Sequence, residues 1–218
     1  MMTPDSISEL LQPYIGLPID PTADMPAVSP TVAPNWPRIY AQLAVYLELI
    51  LKWNARMNLT AIRKPEEIVR RHFGESLFLG ARIGACESLL DLGSGAGFPG
   101  IPVQLMWPDV QVTLAESQGK KAAFLREVVR ALGLPTQVWS ARVQTMPAER
   151  LFDVVALRAV DDMVSAVNEA GVRAARRVLI LGSAHHSMDG IPAQNFIVRD
   201  PIPLPEPSAG VLLIAHRS

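Results

Sequence analysis

The stretch that most constrains this chain runs from Leu89 to Pro102. The apolar run Leu89-Leu90-Asp91-Leu92 breaks into four glycines (Gly93, Gly95, Gly97, Gly100) and two prolines (Pro99, Pro102). That is how a buried strand gives way to a tight turn and then to a helix. Glycine tolerates positive φ and lets a ligand approach the main chain with no Cβ in the way. Proline just inside a helix start loses no hydrogen bond, because its missing N–H would be an orphan there. The stretch reads as a strand–loop–helix cradle for a small ligand, the plainer alternative being a glycine-rich turn that binds nothing.

Beyond the cradle the chain alternates in the same way. Strands are predicted at Leu89–Leu92, Val110–Ala115, Thr136–Trp139, Phe152–Leu157 and Arg177–Leu181. Helices are predicted between them at Ile101–Met106, Gln118–Leu132 and Met163–Ala175. Short apolar strands separated by helices imply parallel βαβ units in a doubly wound sheet. Asn195–Arg199 and Val211–His216 flank a proline-rich loop and predict an antiparallel pair at the end.

The first 87 residues are different. Residues 1–35 hold seven prolines, four acids and no Lys or Arg. One helical turn is possible from Ser6 to Leu11, but the remainder has little to bury, which predicts a mobile acidic arm. From Trp36 apolar residues recur at helical spacing (Ile39, Leu43, Tyr46, Leu47, Ile50, Leu51) up to Trp53-Asn54. A second helix is predicted from Pro65 and a third from Glu75 to Ala81. Residues 36–82 carry eight basic and four acidic side chains, a local charge of +4 beside the −4 of the arm. The expected organisation is therefore an arm over 1–35, a helical cap over 36–87 and an α/β domain over 88–218. The basic face of the cap, with Arg63 and Lys64, is either a solvated surface or one that contacts phosphates.

The spacing of the cradle bears on its ligand. Gly93, Gly95 and Gly97 give G-x-G-x-G, whereas the dinucleotide fingerprint G-x-G-x-x-G would need its third glycine at Phe98. A parallel sheet closed by a C-terminal antiparallel hairpin is the plan of a class I S-adenosylmethionine-dependent methyltransferase, a Rossmann-like fold. Glu116, ending the second strand, can accept both hydroxyls of a ribose. Asp91 suits ordering of the glycine loop, or pairing with a ligand ammonium, better than acid–base chemistry.

The stretch from Asp91 to Pro102 (Asp-Leu-Gly-Ser-Gly-Ala-Gly-Phe-Pro-Gly-Ile-Pro) resembles the signature of the bacterial 16S rRNA guanine-N7 methyltransferase family, also called glucose-inhibited division protein B. Similar stretches are Lys52 to Thr60, Arg71 to Leu77, Glu116 to Lys121, Arg142-Val143-Gln144 and Leu157-Arg158-Ala159, so the resemblance covers about residues 36–181 in order. It implies S-adenosylmethionine contacts at Gly93, Phe98, Val143, Gln144 and Arg158, with Gly95 and Gly97 completing the loop and Glu116 on the ribose. It also implies 16S rRNA, or the small ribosomal subunit, as the partner. Three positions depart from the family pattern. Leu181 stands where the family often has Lys, Gln144 where it often has an acid, and Glu75 where it often has Asp.

The chemistry agrees with that resemblance. Guanine N7 carries a lone pair and no proton, so methyl transfer to it needs positioning rather than a general base. No nucleophilic cysteine follows the fourth strand, since Cys86, the one cysteine, lies before the first. Arg158, at a strand end, is the expected catalytic-site residue. Its fork can hold a methionine carboxylate, an RNA phosphate or a base edge, or can form a plain salt bridge. Arg142 is a further RNA candidate. His185-His186 lack metal spacing, so no metal is expected. With one cysteine, no signal-peptide pattern and no long apolar run, a cytoplasmic location without a membrane is expected; a monomer is expected as well. Two other readings remain: a methyltransferase for a small molecule, and a non-catalytic RNA-binding module that keeps the cradle.

Overall fold

A computed structural model of the chain describes residues 2–15, 33–160, 162–183, 188–189 and 191–218. Eight strands form a mixed sheet: β1 (Ser88–Leu92), β2 (Gln111–Ala115), β3 (Gln137–Trp139), β4 (Phe152–Arg158), β5 (Ala174–Ser183), β6 (Phe196–Val198), β7 (Ile202–Pro203) and β8 (Gly210–Arg217). The order is β3-β2-β1-β4-β5-β8-β6, with β7 also paired to β8. The first five strands are parallel, and β8 runs antiparallel between β5 and β6. This is the class I methyltransferase arrangement expected from the sequence. The predicted antiparallel pair exists, though its second strand lies inside the sheet and β6 forms the edge.

Alternation along the strands sorts the core into two layers. Leu89, Leu114, Val154 and Leu179 belong to the layer on one side, which also takes in the buried faces of α1 (Pro4–Ile15), α2 (Trp36–Asn54), α5 (Gly100–Met106) and α6 (Gly119–Leu132). Leu90, Val155, Leu157 and Ile180 face the other, against α7 (Met163–Arg173). Helix α7 is capped by Asp162, whose carboxylate accepts the Ser165 amide at 3.1 Å, and it passes into β5 with no connecting residue. The cap helix α2 begins after Asn35, whose side chain accepts the Arg38 amide at 3.2 Å, and buries Ile39, Leu43, Tyr46, Leu47 and Ile50 as its spacing predicted.

Two expectations for the first 87 residues need correction. The segment from Pro4 to Ile15 is a helix of three turns, not a single turn in a mobile arm. Its Ile7, Leu11 and Tyr14 share one face and are buried against α2 and the 65–80 segment. The apolar stripe outweighs the composition around it, including Pro13 inside the helix, which removes one i→i−4 hydrogen bond. The remainder of the predicted arm, residues 16–32, lies outside the described residues. The two helices predicted from Pro65 and Glu75 form one continuous rod: α3 (Pro65–Glu67), a π-helical stretch over Ile68–Gly74, and α4 (Glu75–Gly80). No helix among the described residues is long and apolar enough to cross a membrane.

Candidate active site

The sheet order places β1 between β2 and β4, so the chain changes direction across the sheet beside β1. In open α/β sheets ligands bind at the carboxyl edge of such a crossing. The loops after β1, β2, β3 and β4 all open on that edge, because these strands are parallel.

The glycine loop is built by its neighbours. The amides of Gly93 and Ser94 both donate to the Ala115 carbonyl, and Ser94 Oγ donates to the Asp91 carbonyl at 2.9 Å. Gly93, Gly95 and Gly97 all have positive φ. Gly97 is the most restricted: at φ +95° a Cβ there would lie 2.5 Å from the Tyr46 hydroxyl and 2.5 Å from Ile101 Cδ1. The Tyr46 hydroxyl itself donates to the Ala96 carbonyl, which ties α2 of the cap to the loop.

Two carboxylates hold the loop from either end. Asp91 is fully buried and its Oδ2 accepts the Gly100 amide at 2.9 Å, bracing the start of α5. Its Oδ1 has no partner. Burial pushes the Asp91 carboxyl up to about 7, against the opposing pull of the Gly100 amide. Glu116 is buried at the end of β2, where Oε2 accepts the Gly95 amide at 2.9 Å and Oε1 the Gln118 amide at 2.7 Å. Each carboxylate oxygen has two acceptor sites, so Glu116 retains capacity for hydroxyl donors.

Phe98 is 6% exposed and packed on several sides. Its ring stacks on His72 at 4.6 Å and lies 5.6 Å from Tyr46 and 5.9 Å from Phe73. In this structure the ring is chiefly core between the cap and the loop. His72 Nε2 pairs with Thr60 Oγ1 at 2.7 Å, while Nδ1 is buried without a partner. Burial, reinforced by the charges of Arg158 and Arg71, pushes the imidazole down to about 2, so His72 is neutral.

Arg158 ends β4 with its guanidinium 6.0 Å from the Phe98 centroid. Nη2 donates to Glu75 Oε2 of α4 at 2.7 Å, so the strand-end salt bridge exists, with the residue that departs from the family pattern. Burial lowers the Arg158 pKa and Glu75 opposes that shift. Removing one partner of such a pair typically costs about 3–5 kcal/mol, because the other is left buried and uncompensated. Nη1 has no partner. The three buried side-chain polar atoms without partners among the described residues are therefore His72 Nδ1, Asp91 Oδ1 and Arg158 Nη1, and the first and last belong to residues beside Phe98.

The remaining candidates divide between this edge and the surface. Val143 and Gln144 begin a 3-10 turn after β3, with Val143 buried and Gln144 exposed. A residue that sequence reasoning missed, Arg173 of α7, fixes that turn: it donates to the carbonyls of Pro147 (2.6 Å), Met146 (3.2 Å) and Val143 (3.4 Å). Arg142 is exposed beside the turn. Arg63 is partly committed to its own loop, donating to the Asn54 carbonyl at 3.0 Å and to Asn58 Oδ1 at 2.8 Å. Lys64 is exposed and lies 3.5 Å from Glu67. The sequence marks Glu75 only as a departure from the family pattern, and neither its partners nor those of Ser208 are legible there, because each acts through residues distant in the chain. Among the described residues no three His, Cys, Asp or Glu side chains gather as metal ligands, and His185 and His186 lie outside them.

Known proteins resemble this chain in sequence and in fold. A family model described as rRNA small subunit methyltransferase G (GidB) matches residues 39–183. The ribosomal RNA small subunit methyltransferase G of Nitrosomonas europaea is 44% identical over 131 residues, covering 60% of this chain and 61% of the relative. That of Stenotrophomonas maltophilia K279a is 45% identical over 127 residues, covering 58% and 59%. The matched part thus spans about three fifths of the length of these curated relatives. Among solved structures, magnesium protoporphyrin IX methyltransferase from Synechocystis PCC 6803 with bound SAM has a TM-score of 0.58 at 11% identity, covering 81% of this chain and 97% of the other. A T. thermophilus 16S rRNA N2 methyltransferase in complex with AdoMet and guanosine has a TM-score of 0.50 at 19% identity, covering 60% and 37%. At such identities the structural likeness speaks for the fold alone.

Proposed function

The chain belongs to the rRNA small subunit methyltransferase G (GidB) family, and on that premise we propose that it transfers a methyl group from S-adenosylmethionine to N7 of a guanine in a 16S rRNA loop. The observation that carries the reading is the glycine loop strung between Asp91 and Glu116, with unpartnered Asp91 Oδ1 and Arg158 Nη1 buried beside it. A buried acceptor and a buried donor without partners suit a ligand that brings both an ammonium and a carboxylate, as the methionine part of S-adenosylmethionine does. Glu116 would take the ribose hydroxyls on its spare lone pairs. Gly93, Gly95 and Gly97 would line the cofactor, and Val143 and Gln144, fixed by Arg173, would border the adenine. When bound, the cofactor supplies an electrophilic sulfonium methyl.

The protein's own residues need only orient and enclose. Guanine N7 attacks with a lone pair and loses no proton, so no base is required. His72 is a very weak base, and the free oxygen of Asp91 is the one proposed to meet the ligand's ammonium. The packed Phe98–His72–Tyr46 cluster excludes water from behind the loop. Lys64 and Arg142, with Arg63 in a supporting role, would meet RNA phosphates. An enzyme of this kind would act as a monomer in the cytoplasm, where small subunits are assembled.

The test is transfer of labelled methyl groups from S-adenosylmethionine to small subunits or their extracted RNA, followed by mapping of the product. A single guanine modified at N7 is expected. Modification at a ring carbon or an amine would sink the regiochemistry, and no RNA-dependent turnover would sink the substrate class.

A further inference from the structure

We propose that Glu75 is a positioning residue for Arg158, held in turn by Ser208 and Tyr14. Two segments outside the family-matched residues 39–183, helix α1 and the loop before β8, would then aim the guanidinium nitrogen left for a ligand. This rests on the proposed function, in which Arg158 faces a ligand.

The hydrogen bonds converge on Glu75. Glu75 Oε2 accepts Arg158 Nη2 at 2.7 Å, and Glu75 Oε1 accepts Ser208 Oγ at 2.8 Å. Ser208 has one hydroxyl proton and gives it to Glu75, so the Tyr14 hydroxyl, 3.1 Å from Ser208 Oγ, is the donor there. Tyr14, Ser208 and Glu75 are all buried, and Arg71 Nε lies 3.9 Å from Glu75 Oε1 on the outer side. A carboxylate held at both oxygens cannot rotate. Because the guanidinium is a rigid planar fork, fixing Nη2 also fixes Nη1, the arm without a partner. A salt bridge serving the fold alone would not need one arm left bare in a buried place. The partners lie 83 and 133 residues from Glu75 in sequence, and Tyr14 lies 194 from Ser208, so the chain of contacts joins both ends of the protein to β4.

Tyr14→Phe and Ser208→Ala each delete one hydroxyl and leave the ion pair in place, so they are suited to testing function in a folded protein. Glu75→Gln and Glu75→Asp complete the set, with the aspartate expected to restore part of what glutamine loses. Each change is made alone and in an Arg158→Lys background. In the protein that keeps Arg158, Ser208→Ala should lower kcat/KM for RNA methylation about tenfold, the scale of one hydrogen bond to a charged group, and Tyr14→Phe, which removes a bond between two neutral hydroxyls, should lower it by a smaller factor. In the Arg158→Lys background, which has no fork to aim, the same changes should have no further effect, whereas equal factors in both backgrounds would overturn the proposal. Nitrogen NMR of the ligand-free protein gives a second readout. Rotation about the Arg158 Cζ–Nη bonds should be slow in the starting protein and faster in Ser208→Ala, and unchanged rotation would overturn the proposal. If the starting protein methylates no RNA, the function reading falls, while the NMR comparison still decides whether Ser208 positions Arg158.

Discussion

Glu116 Oε2 accepts the amide of Gly95 at 2.9 Å, so the carboxylate proposed to hold a ribose also holds the loop beside which that ribose would lie. Its other oxygen holds the first turn of α6 through Gln118. The proposed binding role and the loop architecture therefore fall on one side chain.

Glu116→Ala should weaken S-adenosylmethionine binding by about tenfold to a hundredfold, since charge-assisted hydrogen bonds are lost and two backbone amides lose their acceptor. Glu116→Gln, which keeps one acceptor oxygen, should fall between. Titration calorimetry gives both values, and an unchanged affinity in the alanine variant would remove Glu116 from the cofactor site.

Gly97→Ala should destabilise the protein by about 2 kcal/mol or more, because φ +95° is strained for alanine and the new methyl meets Tyr46 and Ile101. Gly119→Ala is the control. A Cβ at that position would have nothing within 4 Å, and the variant should stay within about 0.5 kcal/mol of the parent. Urea denaturation of the two variants separates local backbone strain from a general intolerance of change.

His72 makes stability depend on pH in a stated direction. Its folded pKa, about 2, lies below the ordinary value of 6.5, so below that value the unfolded chain binds a proton that the folded one refuses. The stabilising contribution is complete above about pH 6.5 and is lost as pH falls, at up to about 1.4 kcal/mol per unit. His72→Gln should shrink the difference in unfolding free energy between about pH 7 and pH 5 by roughly 2 kcal/mol. An undiminished difference would mean that other groups carry it.

Lys64→Glu combined with Arg142→Glu should weaken RNA binding and lower its salt dependence by about two units of slope, the loss of two phosphate contacts. Arg63 is a poorer probe, because its guanidinium bonds to Asn54 and Asn58 and its loss would disturb the loop. Binding measured at several salt concentrations decides the matter, and an unchanged slope would take both side chains off the RNA surface.

The βαβ rhythm and the glycine cradle were legible in the sequence because they are local: a strand, a turn and a helix declare themselves within about twenty residues. The α1 stripe of Ile7, Leu11 and Tyr14 was also present in the letters, but the prolines around it hid a helix that depends on tertiary burial. The π-helical stretch at Ile68–Gly74 has no periodic signal to distinguish it from an ordinary helix that starts and stops. In the site, Glu116 was legible by its place at a strand end. Glu75 was not, since its meaning comes from Arg158 and Ser208, which no spacing rule connects to it.

The place of β8 has a consequence for any shortened form of this protein. It pairs with β5 over seven residues, from Arg177–His216 to Ser183–Gly210, and it also serves as the partner of β6 and β7. A polypeptide that stopped before Gly210 would lose one shared seam rather than a peripheral strand. The open edge of β5, with apolar Val178 to Leu181, would then be available to the same edge of another molecule. Truncation at this end should therefore show itself as self-association.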